Sequence, residues 1–466
     1  MRNWTQLLAV CALLSACAVP LRRHPAPQVR QLPALGTQAT PGSWPQTAWW
    51  RVFGDPRLNR LMVAGLKANP SLAAAQTRLR SANAAVHAAR AALGTSFAID
   101  GSVDREKLSA NGLFPPPLGG SSFTQSELSA SASRQLDLWH QNRDLIEASV
   151  SARKAQEATV AEARLLLSRA IANAYFGLAR DIALGRIRAR ALRRNRRLMQ
   201  YAVMAYHAGA GNEQNVMIAR AEVASARLSR DTSTAQVSRD RVALAALLGR
   251  GPTYGSRIVV SAQLRVPDTA LPPDLRLDLL ARRPDITARY WTVRAAAAQV
   301  GAARAGFYPN VSLSAMGGLQ SLTFTKLLSA SSLMGSTGVA IHLPLFQPGT
   351  LKARLSQARA DYDQAVDEYN HAVLTAARNV AADLVTTQAL AREQQDLTDL
   401  QYARSHELAI AKRRYRLGDA SIIPVLEAQN ALADVQARQQ VLTAARVRAL
   451  IGLLGALGGG YQTAPL

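Results

Sequence analysis

Few of the residues able to do chemistry stand in a pattern that would do it. The seven histidines, at positions 24, 87, 140, 207, 342, 371 and 406, show no metal-ligand spacing, and no strained nucleophile turn occurs. Gly458-Gly459-Gly460 lacks the lysine and hydroxyl with which a P-loop holds phosphate. Both cysteines, Cys11 and Cys17, fall within the first twenty residues, which excludes a structural disulfide or a thiolate metal site from the rest of the chain. The expectation is no catalytic residue, no metal, no cofactor and no enzymatic activity.

The first cysteine-bearing segment reads as a targeting signal. Arg2 precedes an apolar run, Leu7 to Leu14, long enough for a signal h-region and too short to span a bilayer. Leu14-Ser15-Ala16-Cys17 resembles the bacterial lipobox, in which cleavage before the cysteine leaves it as a lipidated amino terminus. By that resemblance residues 1–16 are a signal peptide, Cys17 is the lipidation site and carries fatty acyl chains such as palmitate, and 17–55 form a lipidated N-terminal segment. Each buried CH₂ of an acyl chain adds about 0.8 kcal/mol, so several chains on one cysteine hold firmly to a membrane. Ala18, in place of Asp, resembles lipoproteins released to the outer membrane.

The 466 residues are 48% apolar and only 5% aromatic, enough for a core and unlike a disordered tail. Lys and Arg number 55 against 31 Asp and Glu, a net +24, and the excess is almost all Arg. That balance suits an anionic partner, yet the arginines are dispersed and no recognition module for nucleic acid accompanies them, so no nucleic-acid partner is expected. The one dense cluster, Arg186, Arg188, Arg190, Arg193, Arg194, Arg196 and Arg197, reads as a solvated helix face or an electrostatic docking strip. After the leader no run of about 18 apolar residues remains, so any bilayer crossing must be by β-strands.

The elements that would position these residues are written twice. Asn69-Pro70 through Gly101 lies over Arg283-Pro284 through Ala315 at an offset of 214, Leu136-Asp137-Leu138-Trp139 over Leu343-Pro344-Leu345-Phe346 at 207, and Tyr206-His207-Ala208-Gly209 over Tyr415-Arg416-Leu417-Gly418 at 209. The chain reads as a tandem duplication: a first repeat at 56–250, a linker at 251–274, a second repeat at 275–460 and a tail at 461–466. Each half has the order helix, strand, strand, very long helix, break, helix. The long helices are expected over 140–208 and 348–416, about 100 Å each at 1.5 Å per residue, longer than any globular core requires. Large side chains recur at three and four along them (Val160, Leu167, Ile171, Tyr175, Leu178 and Ile182; Leu351, Leu355, Tyr362, Val366, Tyr369 and Val373), the pattern of a lateral supercoil. Gly209-Ala210-Gly211 and Gly418-Asp419 break the two helices before return helices over 213–248 and 421–455.

Four strands alternate. Phe97, Ile99 and Val103 oppose Asp100, Ser102 and Asp104; Leu128, Ala130 and Ala132 oppose Glu127, Ser129 and Ser131; Val311, Leu313 and Ala315 oppose Ser312 and Ser314; Val339, Ile341 and Leu343 oppose Ala340 and His342. The pattern fits a half-buried soluble sheet or a membrane barrel. Spanning barrels start near eight strands, so a spanning role demands an oligomer. Segments 112–122, with Pro115-Pro116-Pro117, and 319–332 would be the external tips.

The chain resembles the TolC-like outer-membrane efflux factor family, in its NodT-like lipoprotein branch. The resemblance rests on Trp49-Trp50-Arg51-Val52-Phe53-Gly54-Asp55-Pro56-Arg57-Leu58, Gln135-Leu136-Asp137-Leu138-Trp139, Arg282-Arg283-Pro284-Asp285-Ile286, Ala305-Gly306-Phe307-Tyr308-Pro309, Leu343-Pro344-Leu345-Phe346 and Leu457-Gly458-Gly459-Gly460. It implies a mainly α protein with a small membrane β-barrel contribution: a homotrimer whose twelve strands close one barrel and whose helices continue as a coiled-coil barrel through the periplasm. The implied function is the outer-membrane channel of a tripartite efflux pump, a passive conduit for drugs or other small toxic molecules. Its implied partners are a periplasmic adaptor (membrane fusion) protein, an inner-membrane transporter of the resistance-nodulation-division type and outer-membrane lipid. The implied place is the outer membrane, lipid-anchored and extending into the periplasm.

The same resemblance suggests Glu427, in Val425-Leu426-Glu427-Ala428-Gln429, as a candidate periplasmic gate carboxylate, with Tyr415 and Arg416 as latch residues. Gly209, Gly211 and Gly418, exposed at the tips, would meet the adaptor. Ile218 stands where the first half would match Glu427, giving a ring of three charges in a trimer. The chain departs from the family where His140 and Gln347 replace the usual glycine after the second strand of each half. A duct for type I protein secretion and a non-pore periplasmic coiled-coil scaffold remain open alternatives.

Overall fold

The computed structural model describes residues 44–261, 265–267, 282–344 and 348–462. After a 3₁₀ turn at Trp49–Phe53, the elements are α1 Pro56–Ala68, α2 Pro70–Ala91, β1 Ser96–Lys107, β2 Ser122–Leu136, α3 Gln141–His207 and α4 Glu213–Leu247, then α5 Pro284–Ala305, β3 Asn310–Ser321, β4 Leu333–His342, α6 Pro348–Arg416 and α7 Ile423–Ala456. From Pro70 and Pro284 onward the two halves run through the same sequence of elements. α3 has 67 residues and α6 has 69, close to the expected spans. The second external tip is shorter than expected, because β3 continues to Ser321.

Proline opens α1, α2 and α5, where its missing N–H costs nothing. Asp55 and Asn69 cap α1 and α2 by accepting backbone N–H bonds from Arg57 at 2.8 Å and Ser71 at 2.9 Å. The breaks at the tips are built alike. At the end of α3 the Gly209 N–H reaches Tyr206 O and the Ala210 N–H reaches Ala205 O; at the end of α6 the Gly418 N–H reaches Tyr415 O and the Asp419 N–H reaches Arg414 O. Both glycines are left-handed, φ 69° and 77°, as this double-bonded helix end requires.

The sheet is antiparallel in the order β1-β2-β3-β4, so the two halves meet at the β2–β3 pairing, where Ala132 faces Ala315 and Leu128 faces Leu319. The main core lies among the helices. Trp49, Trp50 and Phe53 pack with Leu58 and Met62 of α1, Ile171, Tyr175 and Leu178 of α3, Leu244 and Leu248 at the end of α4, and Val447 and Ile451 of α7. Residues 49–53, which the sequence marks as a family motif, are thus a structural plug against α3. At Gly65 a Cβ would stand 2.5 Å from Ile171 Cδ1, so any larger residue would push the ends of the Ile171 and Leu248 side chains aside. Separate apolar seams join α5 to α6 (Ile286, Val293, Val366, Tyr369, Val373) and α6 to α7 (Leu397, Val435, Leu442). The alternating seven-residue stripe is what these seams use: Ile171, Tyr175, Leu178, Val366 and Val373 are fully buried.

Part of 251–274 is built into this body. Pro252–Arg257 forms a 3₁₀ turn on α4, Ile258 and Val260 are buried, and Val260 O accepts a 3.0 Å bond from Arg57. Cys17, the leader, Gln347 and the last four residues of the tail lie outside the described residues.

Candidate channel wall and hairpin tips

The sheet exposes what a soluble sheet would bury. Register places Phe97 beside Ala132, Ile99 beside Ala130, Leu313 beside Val339 and Val311 beside Ile341, so one face gathers Phe97, Ile99 and Val103 with Leu128, Leu313, Val339 and Ile341. Phe97 is 80% exposed, Ile99 79%, Ile341 70% and Val339 65%, and none of the described helices covers them. The opposite face carries Asp100, Ser102, Asp104 and Glu127 with Ser129, Ser131 and Ser133 of β2 and Ser312 and Ser314 of β3. β1 and β4 are both edges, each with one row of backbone hydrogen-bonding groups unpaired among the described residues.

Where the sheet joins the helices, Trp139 stacks on Tyr308 with ring centroids 4.8 Å apart, and its Nε1–H donates to Pro309 O at 2.9 Å. Both rings are about half exposed, an arrangement suited to a membrane–water boundary. Next to Trp139, His140 adopts φ 63°, the one left-handed non-glycine among the described residues. Asp137 covers the start of α3 instead, accepting from the backbone N–H of Asn142 at 3.0 Å and Arg143 at 2.8 Å.

At the other end of the molecule, a cavity of about 590 Å³ opens between the α3–α4 hairpin and the start of α7. Gly211, Ile218, Glu222 and Glu427 line it together with Tyr201 and Asn430. Glu427 and its first-half counterpart Ile218 are therefore brought to one space, with Gly211 at its edge, and the Glu427 side chain is exposed. Tyr415 and Arg416 stand exposed on the last turn of α6 and do not line this cavity; Gly209 and Gly418 occupy the two turns. The neighbouring Arg414 pairs with Asp419 at 2.7 Å.

The hydrogen bonds that tie α7 to the first hairpin here join Arg194, which the sequence marks only as part of the arginine cluster, to Asn195 and Asn430, which it does not single out. Arg194 Nε donates to Asn430 Oδ1 at 2.7 Å, Asn430 Nδ2 to Asn195 Oδ1 at 2.6 Å, and Asn195 Nδ2 to the Glu222 carbonyl at 3.4 Å. The signal available in the sequence was a polar pair, Arg194-Asn195, inside a stretch of helical arginines. Two members of the arginine cluster are used this way, since Arg188 also bonds Ser233 Oγ across α3 and α4.

Nearer the middle of the first hairpin, Asp181 of α3 is buried and held by Arg180 through two 2.8 Å bonds. Burial works against its charge, but the Arg180 bonds prevail and its carboxyl sits below the ordinary value. Asp240 of α4 faces it; burial first, then the Asp181 carboxylate, pushes the Asp240 carboxyl up to about 6, although Gln236 donates to it at 2.7 Å. The two acids face each other across the hairpin, and the ionised Asp181 favours a proton on Asp240.

Comparison with known proteins places this architecture. The family model described as outer membrane efflux protein matches residues 61–250 and 275–459. The chain is 29% identical over 474 residues to the multidrug resistance outer membrane protein MdtP of Escherichia coli O6:H1, covering 99% of this chain and 96% of that one. Among solved structures it is similar to the outer membrane protein VceC of Vibrio cholerae, with TM-score 0.80 and 31% identity over 90% of this chain and all of that one. It is also similar to the outer-membrane channel OprN, with TM-score 0.84 and 26% identity over 95% of this chain and 99% of the other.

Proposed function

The chain belongs to the outer membrane efflux protein family, and from that premise we propose that three copies share one cylinder, anchored through Cys17, through which small toxic molecules leave by way of periplasm and outer membrane. As a member of that family the protein is an outer-membrane efflux channel component.

The observation that supports the trimer is the sheet itself. Its four strands leave both edges open and an apolar face bare, and four strands are too few to close a spanning barrel. Setting β4 of one copy against β1 of the next continues the antiparallel alternation, and three copies give twelve strands. The apolar face then meets lipid and the face with Asp100, Asp104 and Glu127 lines water.

The helical end supplies the other half of the reading. An inner-membrane transporter of the resistance-nodulation-division type drives transport through this conduit, joined to it through a periplasmic adaptor that meets the turns at Gly209, Gly211 and Gly418. Glu427 would stand three times about the axis as a ring of carboxylates that favours cations. Tyr415 and Arg416 would latch the closed tip, and opening would carry the α6–α7 hairpin outward.

Planar-bilayer recording of the purified protein tests the conduit: discrete channels are expected, and a protein that gives none at any voltage or pH is a scaffold. Susceptibility profiling of a deletion strain, beside assay of its secreted proteins, tests the cargo. Sensitisation to drugs with unchanged secretion is expected; the reverse result assigns the chain to protein secretion.

A further inference from the structure

Charge on the sheet is sorted by face. Strand register fixes which side chains stand together, and on the face that carries Phe97, Ile99 and Val103 the charged residues are Arg105, Lys107 and Arg134, all basic. On the other face they are Asp100, Asp104, Glu106 and Glu127, all acidic. Among the described residues neither Arg105 nor Lys107 makes a salt bridge or a side-chain hydrogen bond, and both side chains are exposed.

The bases are also sorted by level. Arg105 stands opposite Thr124 on β2, and Arg134 lies ten positions farther along that strand. Ten residues span about 33 Å along a strand, and at a tilt of about 40° this is about 25 Å of height, the height of the apolar band on membrane barrels. Between the two levels that face carries Val103, Ile99, Phe97, Leu128, Ala130 and Ala132 and no charge. A base on a lipid-facing surface extends its head to the nearest polar layer, so Arg134 marks the headgroup level next to the helices, and Arg105 with Lys107 marks the outer one.

We infer that Arg105 and Lys107 form a seat for the phosphate of an anionic lipid in the outer leaflet, one seat per copy. This rests on the sheet spanning the membrane as proposed above. The guanidinium fork matches two phosphate oxygens, and the Lys107 ammonium, about 7 Å along the strand on the same face, reaches a second oxygen or a second phosphate of the same headgroup. The acids that might neutralise these bases from within the sheet all point the other way, which leaves the lipid as their counter-charge.

Native mass spectrometry of the full-length protein released from detergent tests the seat, with a doubly phosphorylated glycolipid, its dephosphorylated form and inorganic phosphate as probes. The phosphorylated glycolipid is expected to remain bound, and the Arg105→Gln/Lys107→Gln variant is expected to retain it about tenfold less. Arg134→Gln is expected to retain it as the parent does. Equal retention by the double variant overturns the inference, as does displacement by millimolar inorganic phosphate, which would mark a free-anion site. If the double variant does not assemble, the parent decides: equal retention of phosphorylated and dephosphorylated glycolipid overturns the seat. Bilayer recordings on the same preparations separate this result from the membrane reading. Channels that persist with unchanged lipid retention sink the seat alone, whereas absence of channels from the parent sinks the spanning sheet beneath it.

Discussion

The Tyr175 hydroxyl donates a 2.5 Å hydrogen bond to Asp55 Oδ2, joining the middle of the first long helix to the residue that caps α1. The same hydroxyl accepts the Ser261 N–H at 2.9 Å, so one fully buried side chain fastens the chain before the first repeat and the chain after it. Burial, and then the Asp55 bond, raise the Tyr175 pKa far above its ordinary value, and the group is a neutral donor at any working pH. Tyr175→Phe leaves a carboxylate oxygen and a backbone N–H unpaired and is expected to cost about 1–3 kcal/mol, read as a lower thermal midpoint. Asp55→Ala is expected to cost at least as much, because the helix cap is lost too.

Stability is expected to depend on pH through the Asp181–Asp240 pair. Asp240 binds its proton up to about 6 in the folded chain and only to its ordinary 3.8 when unfolded, so between those values the folded state holds the extra proton and stability falls as pH rises. Asp181 acts oppositely at lower pH, since its folded carboxyl lies below the ordinary value. Asp240→Asn is expected to flatten the profile between about pH 4 and 6 and to raise the thermal midpoint at pH 7.5. Thermal melts across that range check it, and an unchanged slope would remove the pair from the explanation.

His140 pays for a left-handed backbone at φ 63° with no side-chain cap in return. His140→Gly is expected to stabilise the folded protein by about 0.5–1 kcal/mol, the relief of the left-handed conformation less the entropy that glycine adds to the unfolded chain. Denaturant midpoints of the two proteins measure it.

The acidic face of the sheet sets a field along the proposed conduit. Neutralising Asp100, Asp104 and Glu127 together, as Asn, Asn and Gln, is expected to lower cation preference and move the reversal potential in a salt gradient toward zero. A reversal potential that does not move would place the selectivity at the helical tip.

Asn430→Leu removes the shared partner of Arg194 and Asn195 and is expected to loosen α7 from the first hairpin. Bilayer recordings are expected to show longer openings, with helix content unchanged by circular dichroism. Shorter or unchanged openings would show that this clasp does not restrain the tip.

Much of this protein is legible in its sequence. Proline at the first helical turn, paired glycine breaks and alternating strands are local rules, written twice at nearly constant offsets, and each half obeys them. The stripe through Ile171, Tyr175 and Leu178 announced lateral packing for the same reason: a seven-residue apolar repeat on a helix of about 3.6 residues per turn keeps one face buried only if helices wind together.

Other features depend on which distant segments meet. Asp55 is an ordinary helix cap until the fold brings Tyr175 to it, and Asp181 and Asp240 are two surface-type acids until α3 and α4 turn them toward each other. Asn430 and Asn195 lie in different repeats and reveal nothing locally. The face on which each charge of the sheet stands could be counted along one strand from its alternation, but that Arg105 and Arg134 share a face, at two separate heights, required the register between strands. Local propensity decides the elements, whereas partners far apart in sequence are chosen by tertiary packing, whose pairings no single stretch of chain contains.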